Sequence, residues 1–280
     1  VNGIVETNLA SRMASGSVRA YQQATTLSFV PINLIGVAIS TAAFPKMTER
    51  LGQRRKDLFK KELQAVLRVI VWLALPVMVV AFFCRGYLAG FIAPGGDQYI
   101  ADILGLLVLT ILFRSIYFIS ARSFYAQQDT KTPLYISLFT ISLNITLAIW
   151  FSMGLNMGVY GLAWAAVIVS GLEVVILFAV MSRRIKGLFD SPFINGVVRM
   201  ASAAGFTTLV TYGMVVAFPL LADEQSFFSS FPKFALIVGV SLLTYIIVCR
   251  LLKVEEVLPV LSRTKAIIVK ILFKQPKINS

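Results

Sequence analysis

The sequence contains no histidine, and its two cysteines, Cys84 and Cys249, lie far apart in apolar runs. Without histidine or a Cys-x-x-Cys pair, we expect neither a structural zinc site nor histidine-based acid–base catalysis. Charged residues are also scarce: they make up 14% of the 280 residues, against about a quarter in an ordinary soluble domain. This shortage of charge argues against a water-soluble fold.

Apolar residues account for 58% of the chain, and the mean hydropathy is +0.81. Apolar runs of roughly 20 residues recur along the sequence, which is the length that crosses a bilayer as a helix. The pattern therefore predicts an all-α, polytopic membrane helix bundle with about eight transmembrane helices. The runs cover about residues 1–14, 18–44, 63–84, 100–121, 133–153, 159–181, 194–218 and 233–250.

Two segments follow from this pattern: a transmembrane lobe over residues 1–253 and a tail over residues 254–280. The first apolar run ends at Ala14, so it spans roughly 21 Å of the roughly 30 Å that a bilayer core requires. We therefore expect a truncated first helix in a chain that is part of a longer protein. Pro31 is expected to kink the second helix and Pro45 to end it.

The net charge is +13, which would suit nucleic-acid binding if the basic residues formed one surface. They instead occupy alternate loops, at about residues 46–61, 122–131, 183–186 and 250–253. This alternation follows the positive-inside rule. It predicts cytoplasmic basic loops, a cytoplasmic C-terminus and no nucleic-acid partner.

The tail places apolar residues such as Val257 and Ile267 among Arg263, Lys265 and Lys270. Such a pattern is typical of a basic amphipathic helix that lies on an anionic inner leaflet, with membrane lipids as its partner. A partly disordered cytoplasmic tail would show the same composition.

Two ionisable residues lie inside predicted spans at matching depth. Arg114 and Glu173 each stand roughly 12–13 Å in from the cytoplasmic end. A charge in hydrocarbon costs on the order of 3 kcal/mol, so each requires a partner or a function. We expect them to pair, or to face one aqueous cavity and bind substrate. Alternatively, each reaches separately toward the inner headgroups.

A second pair, Glu6 and Asn144, lies at one depth below the outer ends of its helices. Their side-chain oxygens could coordinate Na⁺, which would then be the coupling ion, or hydrogen-bond between helices. No other cofactor is indicated.

Four arginines lie near predicted helix ends. Arg12 and Arg19 flank the turn at residues 15–17 and could bind an anionic headgroup or a substrate phosphate. Snorkelling to the outer interface would explain them equally well. We expect Arg68 and Arg199 to snorkel to the inner interface.

Residues 122–133 form a polar hinge between two apolar runs and read RSFYAQQDTKTP. Thr132 is a candidate N-cap, with Pro133 at the first helical position. The hinge resembles the FYA-x-x-D-x-K-T-P segment of the MurJ (MviN) lipid II flippase family through Phe124, Tyr125, Asp129, Lys131 and Pro133, after Arg122. Shorter pieces agree over about residues 1–190: Gly16-Ser17, Pro31, Gly36 to Ile39, Ala43 to Pro45, and Gly158 to Ala163.

The resemblance implies a fourteen-helix protein of two lobes, of which this chain supplies the C-terminal lobe. Such proteins are transporters of the bacterial inner membrane, not enzymes. They move the undecaprenyl-linked peptidoglycan precursor (lipid II), a lipid-linked oligosaccharide, by alternating access. The N-terminal half of the same protein would be a partner. In that family the matching hinge is cytoplasmic, and we expect Asp129 and Lys131 to cap and tether helix ends at a gate.

The sequence departs from the family at two places. Thr26 and Phe29 stand where many members carry an arginine and an acidic residue. Ala148 and Ala166 stand where sodium-binding members carry an aspartate and a threonine.

Two alternative functions remain open at this point. One is another exporter of the same superfamily, moving polysaccharide-lipid or drugs. The other is a membrane-embedded polyprenyl transferase, which would need converging carboxylates. Asp97, Asp102, Asp129 and Glu173 are instead scattered along the chain.

Overall fold

The structure is a computed structural model that describes residues 16–93, 98–220 and 227–257. The first predicted helix, with Glu6 and Arg12, lies outside the described residues, as does the tail beyond Val257. The helices are α1 (Ser17–Pro31), α2 (Ala38–Gly52), α3 (Lys56–Phe83), α4 (Arg85–Ile92), α5 (Gln98–Ala126), α6 (Lys131–Ile149), α7 (Val159–Arg184), α8 (Ser191–Ala217) and α9 (Phe227–Leu251).

A π-helical turn, Ile32–Val37, joins α1 to α2, and a second one, Trp150–Gly154, extends α6. With these joined segments counted once each, seven helices in the described part are long and apolar enough to cross a membrane. They coincide with the seven predicted spans that fall in this part. The prediction of an all-α polytopic membrane bundle is therefore confirmed.

The first π-helical turn begins directly after Pro31, where the missing backbone N–H interrupts the α-helical ladder. A Cβ on Gly36 would lie 2.7 Å from Ser115 Cα, so the absent side chain lets this turn pack directly on α5. The predicted irregularity at Pro31 thus places α1–α2 against the centre of the bundle.

Pro45 does not end its helix, contrary to expectation. Helix α2 continues through it to Gly52, which buries Met47 completely and brings Lys46 Nζ within 2.8 Å of Glu62 Oε2. A membrane helix tolerates proline where neighbouring contacts offset the single lost backbone hydrogen bond. The buried methionine and the ion pair supply those contacts here.

Helix α5 is the centre of the bundle and contacts α1, α3 and α7 along its length. Helix α6 packs mainly on α7. The α8–α9 pair joins the other helices chiefly through α3. Large apolar side chains remain exposed on α6 and α8, such as Leu138, Phe139, Phe206 and Leu209, as expected of surfaces that face lipid.

The turn between α6 and α7 explains the Gly158 to Ala163 piece of the sequence. Gly158 has a φ of +58°, which favours glycine. A Cβ on Gly161 would lie 2.6 Å from the backbone nitrogen of Ser152. The start of α7 therefore presses directly on the backbone of the second π-helical turn.

Candidate functional site

The hinge is shorter than expected, because α5 continues through Arg122 to Ala126. The helix ends with Asp129 N donating to Phe124 O at 3.0 Å and Gln128 N donating to Tyr125 O at 2.9 Å. Gln128 adopts a left-handed conformation with φ of +61°. This is a Schellman turn, which satisfies the last carbonyls of the helix.

Asp129, not Thr132, caps the next helix. Its carboxylate accepts hydrogen bonds from Thr132 N at 3.0 Å and from Thr132 Oγ1 at 2.6 Å. Thr132 lies within the first turn of α6, so its own N–H is one of the donors that a cap must satisfy. The predicted capping role of Asp129 is thereby confirmed, and the assignment of the cap to Thr132 is wrong.

Arg184, at the end of α7, ties the hinge to the bundle. Its Nη2 lies 2.6 Å from Asp129 Oδ2 and donates to Thr132 Oγ1 at 3.0 Å. Its guanidinium stands 5.0 Å from the centre of the fully buried Phe124 ring. One arginine thus joins the ends of α5 and α7 to the start of α6, a contact that the sequence did not reveal.

The other hinge residues have different surroundings. Pro133 is buried, whereas Lys131 is exposed and Tyr125 is 43% exposed. Neither Arg122 nor Lys131 forms an ion pair with a residue that the structure describes. The tether comes from Asp129 and Arg184, and a tethering role for Lys131 stays a prediction.

The hydrogen bonds from Thr132 and the Arg184 guanidinium lower the pKa of Asp129 to about 2. A lowered folded-state pKa stabilises the protein above the unfolded value of about 3.9, and this contribution disappears as the pH falls toward 2. Asp129→Asn keeps a capping oxygen but removes the charge that interacts with Arg184, so we expect it to lower the free energy of unfolding by about 1–2 kcal/mol at neutral pH. The difference from the unsubstituted full-length protein should vanish in strong acid, as measured by thermal unfolding in detergent across a pH series.

Asp57→Asn is the matched control for this prediction. Asp57 is 66% exposed and lies 3.8 Å from Arg55, so its removal should change stability little at any pH. Equal losses for the two variants would contradict the assigned role of Asp129.

An open cavity of about 650 Å³ lies beside the hinge. It separates the end of α2 and the start of α3 from the ends of α5 and α7. Its lining includes Lys56, Gln127, Gln128 and Arg184. The hinge therefore borders a depression lined by both basic and apolar side chains, at the side where α2, α5 and α7 end, which we call the basic side.

Glu173 is buried, with 6% of its surface exposed. Its Oε1 accepts hydrogen bonds from Ser137 Oγ at 3.0 Å and from Thr140 Oγ1 at 3.1 Å, both on α6. Ser137 Oγ also lies 3.1 Å from the Tyr117 hydroxyl on α5. A polar cluster inside the membrane-spanning part thus joins α5, α6 and α7.

Arg114 lies one helical turn before Tyr117 and is half-buried. Within the described ranges it forms neither a hydrogen bond nor an ion pair, so the expected pairing with Glu173 is not present in this conformation. The Tyr117 hydroxyl interacts electrostatically with both residues, which places them in one neighbourhood. Their role in binding substrate stays a prediction.

Asn144 is 2% exposed, and its Oδ1 has no hydrogen-bond partner among the described residues. The buried Ala148 and Ala166 occupy the positions of two expected ligands and cannot coordinate a cation. The part of the chain that the structure describes contains no cluster of three or more His, Cys, Asp or Glu residues suited to a metal. These residues alone supply one free oxygen and do not complete a sodium site.

Arg68 does not snorkel, contrary to expectation. Its Nε lies 2.5 Å from Glu256 Oε1, and its Nη2 lies 3.4 Å from Glu255 Oε2. The side chains of Arg68 and Glu256 are 16% and 9% exposed. The adjacent acidic pair just beyond the last span was the available signal for this contact, because an inward-facing arginine requires a carboxylate.

The predicted tail begins inside the bundle. Val254 and Val257 are 3% and 1% exposed and belong to the main apolar core. Residues 254–257 therefore pack against the helices rather than on lipid, and burial of the valines brings Glu256 to Arg68. The membrane-surface helix remains a prediction for the residues beyond them.

Further contacts join α3 to the start of α8. Lys60 Nζ lies 3.3 Å from Asp190 Oδ2, and Gln64 Nε2 donates to Leu188 O at 2.7 Å. The exposed Arg199 donates to Lys253 O at 3.4 Å. Near the start of α1, Arg19 is exposed and makes no ion pair with any described residue.

These features define a multi-pass α-helical membrane protein that holds an ionisable, hydrogen-bonded cluster in its membrane part, an arrangement typical of transporters. A family model described as "Lipid II flippase MurJ" matches residues 1–247. The chain belongs to this family. Its members are lipid II flippases, which are transporters and not enzymes.

Two curated relatives illustrate the match. The "Probable lipid II flippase MurJ" of Thermotoga maritima is 26% identical over 268 residues, covering 94% of this chain and 52% of the relative. The "Lipid II flippase MurJ" of Burkholderia cenocepacia is 28% identical over 149 residues, covering 48% of this chain and 27% of the relative. The chain spans about half the length, or less, of the curated relatives it matches.

Two solved structures share the fold. "Lipid II flippase MurJ, inward closed conformation" matches with a TM-score of 0.73 and 23% identity, covering 89% of this chain and 50% of that one. The Vibrio cholerae MATE transporter VcmN in the bent form matches with a TM-score of 0.58 and 17% identity, covering 89% of this chain and 61% of that one. With the seven spans, the family match indicates a multi-pass inner-membrane protein.

Proposed function

We propose that the protein of which this chain forms one lobe moves lipid II, the undecaprenyl-linked peptidoglycan precursor, from the inner to the outer leaflet. The observation that carries this proposal is the family match over residues 1–247. The missing partner is the N-terminal half of the same protein, consistent with relatives about twice as long.

The proposed mechanism is alternating access, in which two lobes rock about a central cavity. Such motion requires each lobe to move as a unit. The contacts of Arg184 with Asp129, Lys60 with Asp190 and Arg68 with Glu256 join helices that are distant in sequence. They support rigid-body movement of this lobe.

The substrate carries a pyrophosphate, which requires cations at its binding site. Arg114 is suited to this role because it is half-buried in the membrane part and has no ion-pair partner in the described ranges. Glu173 would belong to the same substrate-binding site as Arg114. Arg12 and Arg19 would meet the anionic group near the outer side.

The orientation is also part of the proposal. By the positive-inside rule, the basic side and the C-terminus face the cytoplasm. The hinge cavity would then open to the side from which the substrate is loaded.

Sodium coupling is a separate proposal. Glu6 and the free Oδ1 of Asn144 would hold the ion. Loss of transport without Na⁺ would support it, and transport that is unchanged in sodium-free buffer would remove it.

An exporter of another substrate is the second candidate function, favoured by the shared fold with the MATE transporter. Expression of the full-length protein in a bacterial strain depleted of its lipid II flippase separates the two. We expect restored growth, together with lipid II that becomes accessible to a cleaving enzyme added outside spheroplasts. A protein that reaches the membrane but produces neither result is not a lipid II flippase.

The same strain tests the proposed site. Arg114→Ala should abolish rescue and Arg114→Lys should retain part of it. Lys186→Ala, which removes an exposed cation of the basic side, should leave rescue intact. Immunoblots of the membrane fraction control for the amount of each variant.

A further inference from the structure

Glu173 is a carboxyl group in the middle of a membrane-spanning helix and has no ion-pair partner in the described part of the chain. Among the described residues, no lysine or arginine nitrogen lies within the 4 Å of an ion pair with it. Its hydrogen-bond donors are the neutral hydroxyls of Ser137 and Thr140. Burial makes a permanently ionised carboxylate expensive, whereas the two hydroxyl donors stabilise the charged form, so the site is compatible with both a charged and a neutral group.

The two carboxyl oxygens have different surroundings. Both hydroxyl contacts reach Oε1, and Oε2 makes no hydrogen bond within the described part of the chain. A neutral carboxylic acid needs one oxygen as acceptor and one that carries the proton. Oε1 can keep both hydrogen bonds while Oε2 gains or loses a proton. The site therefore accommodates both forms without moving α6.

The hydroxyl chain can also adjust. Thr140 Oγ1 lies 3.1 Å from Ser137 O as well as 3.1 Å from Glu173 Oε1. Its single hydrogen therefore has a second acceptor, the Ser137 carbonyl, whatever the charge of the acid. Such an alternative acceptor avoids a buried unsatisfied donor in either state.

The titratable and charged groups that face this site come from the two helices packed on α7. Helix α5 presents Arg114 and Tyr117, with Tyr125 farther along the same helix. Helix α6 presents Ser137 and Thr140, which do not titrate in the ordinary range. The net charge of the cluster is therefore set by Arg114 and Glu173.

We propose that Glu173 is a proton-binding site, at which Oε2 takes a proton from a hydronium ion and releases a water molecule. Protonation removes the negative charge of the cluster and leaves the positive charge of Arg114. An anionic, phosphate-bearing ligand is then bound more tightly, and release of the proton weakens its binding. The effect on the ligand rests on the proposed function, whereas proton binding itself does not.

The first experiment detects the proton directly. Infrared difference spectra of the full-length protein in nanodiscs, between mildly alkaline and mildly acidic buffer, should contain the carbonyl stretch of a buried neutral carboxyl group. The band should be absent in Glu173→Gln. It should persist in Glu49→Gln, which removes an exposed carboxyl group. A band that is equal in Glu173→Gln and the unsubstituted protein overturns the proposal.

The second experiment measures binding of undecaprenyl pyrophosphate to the same nanodiscs. In the unsubstituted protein, we expect the affinity to rise roughly three- to tenfold from alkaline to acidic buffer, the size of one added charge acting through protein. Glutamine imitates the neutral acid and preserves an acceptor for Ser137. The Glu173→Gln variant should therefore show the tighter affinity in both buffers. An equal pH dependence in this variant would overturn the coupling.

The outcomes separate the two proposals. A Glu173 band without any rescue of the flippase-depleted strain would support the proton site and contradict the proposed function. Rescue without the band would do the reverse. Folding of Glu173→Gln is controlled by its thermal unfolding, which should match that of the unsubstituted protein because its carbonyl oxygen can still accept both hydroxyl hydrogens.

Discussion

Arg68→Met is expected to lower the free energy of unfolding of the full-length protein by about 3 kcal/mol. The substitution leaves Glu256, which is 9% exposed, without its cation among buried valines. An uncompensated buried charge costs more than the ion pair itself contributes. Unfolding in mixed micelles, driven by increasing fractions of a denaturing detergent, measures the loss.

A double variant sharpens this prediction. Arg68→Met combined with Glu256→Leu replaces the pair with apolar side chains and should recover most of the lost stability. Lys46→Met is the control, because Lys46 is 52% exposed in its pair with Glu62 and should contribute about 1 kcal/mol or less. A loss for Lys46→Met as large as that for Arg68→Met would contradict the special role of the buried pair.

Gly161→Ala should be the second large effect. The added methyl group would lie 2.6 Å from Ser152 N and 2.7 Å from the carbonyl carbon of Phe151. Backbone atoms cannot rotate away as a flexible side chain can, so α7 or the second π-helical turn must move. Overpacking of this kind costs about 1–3 kcal/mol. In the same micelle titration, the variant should unfold at a lower fraction of denaturing detergent. Transport should also fall, because the substitution disturbs the contact between α6 and α7.

Gly205→Ala provides the matched control. Gly205 also lies in a membrane-spanning helix, but an added Cβ there meets no atom within 4 Å. Alanine is the better helix former, so this variant should be neutral or more stable by up to about 1 kcal/mol. Similar losses at Gly161 and Gly205 would show that the contact with Ser152 is not the cause.

The course of the chain through the membrane follows from the sequence because one physical signal dominates it. Apolar runs long enough to cross a bilayer predict the spans. The structure contains all seven predicted spans that fall in its described part. A break within residues 122–133 was also predictable, since Asp129 and Pro133 are typical of a helix start, although α5 continues farther than predicted, to Ala126. Local composition is sufficient for such features.

Pairings between distant segments could not be predicted in this way. Arg68 contacts Glu256, and Arg184 contacts Asp129, only because packing brings their helices together. Pro45 illustrates the opposite error, in which a local rule yields to tertiary contacts such as the burial of Met47. The depth argument placed Arg114 and Glu173 near each other but could not show which hydroxyls would satisfy the carboxyl group.

The ion pairs and the hydrogen bond that α3 forms with later segments constrain the order in which this protein can fold during synthesis. Lys60, Gln64 and Arg68 belong to α3, yet their partners lie more than a hundred residues later in the chain. Until Glu256 has left the ribosome, 188 positions after Arg68, the arginine has no carboxylate to meet. The lobe can therefore insert its helices one by one. It closes its basic side only after the last described residues have been translated.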